Sequence, residues 1–395
     1  MNAPHPPASW VQRRIAALLR PLLDRLSAGL VTGQIDLFLP DGSFRLLGGH
    51  APGPVCTVIV RKWRAFVRLA RSGSVGWYEA WAAGEWSSPD IVTLFELFAR
   101  NRETLKQTAR AKGVSRIVKR VRHALNRNNR AGARRNIVAH YDLGNDFYAA
   151  WLDPTMSYSS AIFAAGDTLE TAQRRKQVAV LDRLAMTDGS TMLEIGCGWG
   201  SLSQTAHARG AVVTAISLSP SQLDFARTHY SDVDFRLCDY RDVADQYDAI
   251  VSVEMVEAVG EGYWPDYLDA IVRCLKPGGR AAIQFISIPD DMYEAYRQGV
   301  DFIQTYVFPG GMLLSESRFR ALAEARGLAW TDEYRFGADY ARTLNIWRER
   351  FDEAYLPSQF DDRFKNLWRY YLMYSEGGFR SGGIDVVQVT LVKKV

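Results

Sequence analysis

The sequence predicts an α/β protein whose main body is a doubly wound, mostly parallel sheet, with a smaller mixed domain at the N-terminal end. Three observations carry this. Residues 191–195, 212–218, 234–238, 249–253 and 281–286 are short apolar runs separated by segments that read mostly as helices, the βαβ pattern of a parallel sheet. The 395 residues are long for one domain and suit two. Residues 101–136 hold twelve Lys or Arg against the single acid Glu103, a net +11 in a chain of net +4, so the remainder is acidic. The domain boundary is placed inside this block, giving an N-terminal domain at 1–104, a basic helical linker at 105–135 and the main domain at 136–395.

Taken in order, residues 10–30 set Val11, Ile15, Leu18, Leu19, Leu22, Leu23 and Leu26 at helical spacing with Arg13, Arg14, Arg20 and Arg25 between them. This is a cationic amphipathic helix, bent or started at Pro21, that packs on its own domain or lies in a membrane interface. From 33 to 60 alternation and turns suggest a few short strands. A helical stretch follows, interrupted at Ser72-Gly-Ser-Val-Gly76, then a turn at Trp86-Ser-Ser-Pro-Asp90 and a helix through Leu94 to Arg100. Past the basic block, His140-Tyr-Asp-Leu143 opens an aromatic-rich region. The last run, 384–392, is expected to add an edge strand.

Hydrophobic residues make up 47% of the chain, enough for a sizeable core. No run approaches the roughly 18–20 uncharged apolar residues that a spanning helix needs. Met1 to Ser9 lack the basic start and apolar stretch of a signal peptide, and Cys56, Cys197, Cys238 and Cys274 show no metal-ligand spacing. A reducing cytoplasm and no metal are the expectation.

Met192-Leu-Glu-Ile-Gly-Cys-Gly-Trp-Gly-Ser-Leu202 is the most informative segment. An apolar strand runs into an acid and a three-glycine turn. At Gly196, Gly198 and Gly200 no Cβ intrudes, so backbone can pass close to a nucleoside cofactor while Glu194 anchors the turn. Nicotinamide and flavin enzymes use similar turns, but this arrangement points to the class I methyltransferase form of the fold and to S-adenosylmethionine. The second strand ends at Ser217, with Gln222 beyond it, offering neutral hydrogen bonds where an acid is usual. After the third strand, Asp239 can accept from the adenine amino group and Tyr240 can stack on the ring.

Several segments together resemble the cyclopropane fatty acid synthases and the related mycolic acid methyltransferases. They include Ala133-Arg-Arg-Asn136, His140-Tyr-Asp-Leu143, Leu152-Asp-Pro-Thr-Met-Ser-Tyr-Ser-Ser160, Asp239-Tyr-Arg-Asp242, Val256-Glu-Ala-Val-Gly260, Phe308-Pro-Gly-Gly311, Phe336-Gly-Ala-Asp-Tyr340 and Tyr370-Tyr-Leu372. The resemblance covers nearly all of 133–395. Gly73-Ser-Val-Gly76 and Gly84-Glu-Trp86 are similar to the family's N-terminal domain.

The resemblance implies methyl transfer from S-adenosylmethionine to a cis double bond in a phospholipid acyl chain, with Tyr158 and Ser159 also at the cofactor. An alkene is a weak nucleophile and the cation formed on it is destroyed by water, so such a site needs alignment, aromatic walls and a base. In the family that base is a bound bicarbonate held by a cysteine, a glutamate, a histidine and a tyrosine. Glu257 and Tyr340 match. Ser160 stands at the cysteine position and Gln284 at the histidine position, Ala258 follows Glu257 where His is frequent, and Ser375 replaces a further cysteine. The Ser hydroxyl and Gln amide can still donate to an anion. Glu254 lies three residues before Glu257; it either raises the pKa of Glu257, accepts a proton itself, or faces solvent. Residues 286–319, with Met292, Tyr293, Tyr296, Phe302, Tyr306, Phe308, Met312 and Leu313, read either as the wall of an acyl tunnel or as a plain packed cap.

The expected enzyme is thus a lipid C-methyltransferase making a cyclopropane, or a methylene or methyl branch if another proton leaves. Its partner is a membrane carrying unsaturated acyl chains, met peripherally at the cytoplasmic face through the basic block. A homodimer is left open. A non-catalytic lipid-binding protein is the rival of another class. A nucleic-acid methyltransferase is not expected, because no Asn-Pro-Pro-Tyr or Pro-Cys catalytic motif is present and the positive charge lies outside the main domain.

Overall fold

The structure is a computed structural model that describes residues 10–105, 143–354, 356 and 360–394, with side chains from residue 14. The basic linker beyond Leu105, the Ala133-Arg-Arg-Asn136 segment and His140-Tyr-Asp142 lie outside the described residues. Two compact units result. The first joins the N-terminal residues to Gly299–Thr305 and Asp361–Gly383; the second holds the other described residues through Gln298, then Tyr306–Phe360, and the chain from Ile384. Segments assigned from sequence to the main domain therefore fold with the first unit.

In the first unit the helix Trp10–Gly29 continues through Pro21 and buries Leu23. Its Asp24 pairs with Arg45 at 2.8 Å. Four strands, β1 (Thr32–Phe38), β2 (Phe44–Gly48), β3 (Ala51–Val60) and β4 (Trp86–Ser87), line up in the order β2-β1-β3-β4. β1 runs antiparallel to β2 and parallel to β3, so the sheet is mixed, and the unit combines helices with short strands as expected. The helix Arg64–Ala82 kinks at Gly73, whose φ of 58° a side chain would resist. The Asp90 side chain caps the helix Ile91–Arg100 by accepting from the Thr93 N–H at 3.0 Å.

The extra segments join because the apolar stripe of Ile91–Arg100 and that of the helix Asp362–Arg380 bury each other. Gly377 allows the close approach: a Cβ there would lie 2.5 Å from that of Phe95. Around the buried Tyr370 ring sit Tyr78, Trp81, Phe95 and Phe302, with centroids at 5.0, 5.1, 5.2 and 4.8 Å.

The second unit is built on β5 (Thr191–Ile195), β6 (Val212–Ser217), β7 (Asp234–Leu237), β8 (Tyr247–Val253), β9 (Leu275–Ile288), β10 (Leu314–Ser315), β11 (Leu328–Arg335) and β12 (Asp385–Lys393). The order is β11-β12-β9-β8-β5-β6-β7, with β10 beside β9. Neighbours from β7 through β9 pair in parallel, while β12 runs antiparallel to both β9 and β11. This is the doubly wound sheet expected, with one correction. β12 is interior, not an edge strand, because β11 covers its far side. The run Val386 to Leu391 is buried throughout, as an interior strand's would be. β11 escaped notice because only its first residues are buried and its remaining five are exposed. Among the described residues no helix is long and apolar enough to cross a membrane.

Candidate active site

At the carboxyl ends of β5, β6, β7 and β8, where the strand order reverses, the second unit encloses a cavity of about 180 Å³. All ten residues expected to hold the cofactor line it: Tyr158, Ser159, Glu194, Gly196, Gly198, Gly200, Ser217, Gln222, Asp239 and Tyr240. Gly198 has φ 54°, and a Cβ built on it would point into open space that a ligand can use. Gly200, at φ 88°, begins the helix Ser201–His207; its Cβ would stand 2.7 Å from the Phe235 ring.

Local contacts set each wall. Ser203 donates to the buried Glu194 carboxylate, whose pKa burial pushes up to about 7. Ser217 donates to Gln222 Oε1 at 3.3 Å, and Ser219 caps the helix Pro220–His229. Asp239 is gripped by its neighbour Arg241, which donates Nε at 2.8 Å and Nη2 at 2.5 Å. Tyr240 is buried between the Arg241 guanidinium and Tyr267. Tyr158 packs among Tyr148, Trp151 and Trp347 at 5.4–5.5 Å. Glycine backbone, aromatic faces and buried carboxylates suit a nucleoside joined to a sulfonium and an amino acid.

The four residues expected to form the base site do not line this cavity, and they are not grouped around Glu257. Ser160, Gln284 and Tyr340 converge instead on Glu254, which does line it. Glu254 Oε1 accepts from the Ser160 N–H at 2.9 Å and from Gln284 Nε2 at 2.8 Å; Oε2 accepts from the Tyr340 hydroxyl at 2.8 Å. Ser160 contributes its backbone, since its hydroxyl donates to the Ala161 carbonyl. Glu254 sits just past β8 with φ 49°, and its own N–H donates to the Gln284 carbonyl at 2.8 Å. That left-handed backbone costs about 1–3 kcal/mol, offset by the contacts it makes possible. Burial raises the Glu254 pKa, against the Ser160 and Gln284 donors, the Lys176 charge and the Tyr340 hydroxyl.

Glu257 Oε1 accepts from the Ile286 N–H at 2.5 Å, while its buried Oε2 has no hydrogen-bond partner among the described residues. Burial, then the Glu254 charge, push its carboxyl up to about 8. Below that pH the folded state holds a proton that the unfolded chain, titrating near 4.3, gives up. This group's contribution to stability is therefore complete below the unfolded pKa and is lost as pH rises toward 8, at up to roughly 1.4 kcal/mol per pH unit. Glu257→Gln should remove this part of the slope. Urea unfolding of both proteins between pH 5 and 8.5 checks it; parallel curves would refute the assignment.

Lys176, on the helix Leu169–Asp182, gave no signal in the sequence, since Gln-Arg-Arg-Lys-Gln reads as a solvated face. It is 3% exposed, lines the cavity and donates to Ser159 Oγ at 2.6 Å. Burial lowers its pKa, opposed by Glu254, Asp153 and Glu194. None of residues 286–319 lines the cavity. Tyr293 packs on Trp264, Met312 belongs to the same core, and Phe302 lies in the first unit.

Fold and site together define an S-adenosylmethionine-dependent methyltransferase. The family model described as mycolic acid cyclopropane synthetase matches residues 128–389, and the chain belongs to the family of cyclopropane-fatty-acyl-phospholipid synthases and mycolic acid methyltransferases. It is 41% identical to tuberculostearic acid methyltransferase UfaA1 of Mycobacterium tuberculosis, over 98% of this chain and 91% of that one. Against cyclopropane-fatty-acyl-phospholipid synthase of Escherichia coli identity is 34%, over 88% and 90%. Among solved structures, mycolic acid cyclopropane synthase CmaA1 complexed with SAH and CTAB is similar at a TM-score of 0.62 and 28% identity, over 66% of this chain and 98% of that one.

Proposed function

We propose that this enzyme methylates a cis double bond in an acyl chain of a membrane phospholipid and closes a cyclopropane ring there. The observation that carries the reading is the half-buried carboxylate Glu254, held by three donors in the wall of the cofactor cavity: it places proton-accepting chemistry beside the methyl donor. When bound, S-adenosylmethionine would supply an electrophilic methyl group: the π electrons of the double bond would form the new carbon–carbon bond as the methyl–sulfur bond breaks, its pair staying on the sulfur of S-adenosylhomocysteine and the acyl chain left as a carbocation. Glycine backbone at 196–200, with Asp239, Tyr240, Ser217 and Gln222, holds the cofactor. The rings of Tyr158 and Trp199, which line the cavity, keep water from the cation. Tyr340, Ser160 and Gln284 orient the anion that removes a proton.

A second reading, a methylene or methyl branch, is supported by the 41% identity to a relative named for tuberculostearic acid. Which proton leaves the cation decides between them. The substrate is reached peripherally from the cytoplasmic face, the first unit and the basic residues of 105–135 docking on an anionic leaflet.

Incubation with S-adenosylmethionine and unsaturated phospholipid vesicles, followed by mass spectrometry of the released fatty acids, is expected to show a gain of one CH₂. Resistance of that product to double-bond reagents identifies the ring, and reactivity identifies a methylene branch. Absence of any gain with the cofactor bound refutes lipid methylation.

A further inference from the structure

We propose that Glu254 is the catalytic proton acceptor and takes the place of a bound bicarbonate, so that turnover needs no bicarbonate. This rests on the lipid-methylation reading above. The three groups that would hold an external anion, at Ser160, Gln284 and Tyr340, already donate to a carboxylate that the chain itself provides. A second anion there would meet occupied donors and a neighbouring like charge.

The direction of these hydrogen bonds is forced. A guanidinium can only donate, so Arg183 Nε donates to Gln388 Oε1 at 3.0 Å. Gln388 then presents its Nε2 to Gln284 Oε1 at 3.0 Å, which turns the Gln284 amide nitrogen toward Glu254. Glutamine thus fits position 284 because it accepts from one side and donates on the other. Lys176 adds a compensating charge in the same cavity.

In the proton step a C–H bond of the added methyl breaks, and its electron pair closes the carbon–carbon bond to the cationic carbon. The proton goes to Glu254 Oε2, which among the described residues accepts one hydrogen bond, from Tyr340. The acid returns the proton to solvent when product leaves. Glu257 does not line the cofactor cavity, as Glu254 does, so the step is assigned to Glu254.

The test combines turnover in bicarbonate-depleted buffer with carbon-13 NMR of labelled bicarbonate added to cofactor-free protein. Wild-type turnover should change less than about twofold on depletion, and wild type should show no saturable bicarbonate binding. Glu254→Gln should lose about 100-fold or more in turnover, with no rescue by bicarbonate. Glu254→Gly opens the space at a backbone angle that glycine favours. It should lose as much in depleted buffer, bind labelled bicarbonate, and regain about tenfold when bicarbonate or formate is added. A tenfold fall of wild-type turnover on depletion, or saturable binding by wild type, overturns the proposal. No CH₂ gain in either buffer would refute the lipid-methylation reading instead. The NMR arm alone would then decide whether Glu254 replaces the anion: binding by the glycine variant and not by wild type supports it, and binding by wild type overturns it.

Discussion

Lys176→Met should lower the thermal unfolding midpoint on the order of 10 °C and move the acidic limb of the turnover profile to higher pH. The buried ammonium is the positive charge that Glu254, Asp153 and Glu194 all act upon. Removing it leaves buried acids without compensation, a change that costs about 3–5 kcal/mol when one partner of a buried pair is deleted. At roughly 2–4 °C per kcal/mol for a domain of this size the midpoint shift follows. Glu254, already raised by burial, loses the charge that favours its ionised form. The fraction of enzyme with Glu254 ionised then falls at neutral pH, so turnover drops and recovers at higher pH. Differential scanning fluorimetry and a pH profile of turnover read the two effects separately. A lowered midpoint with an unmoved profile would mean that Lys176 stabilises the fold without setting the ionisation of Glu254.

Tyr370→Ala is expected to destabilise the first unit by about 3–5 kcal/mol, the range for deleting a fully buried aromatic side chain. Its ring touches residues from the N-terminal helices and from the inserted segment at Phe302. The loss should therefore appear as faster proteolysis within residues 64–105, 299–305 and 361–383 together. S-adenosylmethionine affinity should stay within about twofold, because every residue of the cofactor cavity belongs to the second unit. Proteolysis confined to 361–383 would show that the helix docks on an N-terminal domain that folds without it.

The cofactor corner was legible because its information is local. Glycines at 196, 198 and 200, the acid before them, and Asp239-Tyr240 after a strand need only their own turns to be in place. The parallel order of the first five strands followed likewise from apolar runs alternating with helices. Partnerships between distant residues were not legible. Glu254 reads as one acid among many until β8 and β9 pair and bring Gln284 beside it, and until the loop at Ser160 and the helix Gly337–Glu353, which carries Tyr340, close over it. The family resemblance named Ser160, Gln284 and Tyr340 but attached them to Glu257, because spacing shows which residues share a motif and not which carboxylate their donors reach.

By itself the sequence determined the sheet class, the cofactor and the family, all written in contiguous backbone chemistry: glycine where φ is positive, apolar runs where strands are covered. Tertiary structure alone decided that β12 is interior, that residues 299–305 and 361–383 fold with the N-terminal unit, and that a chain of donors from Arg183 ends on Glu254. These depend on contacts between segments up to some 290 residues apart, where hydrogen-bond direction and burial are set by packing that no local pattern encodes.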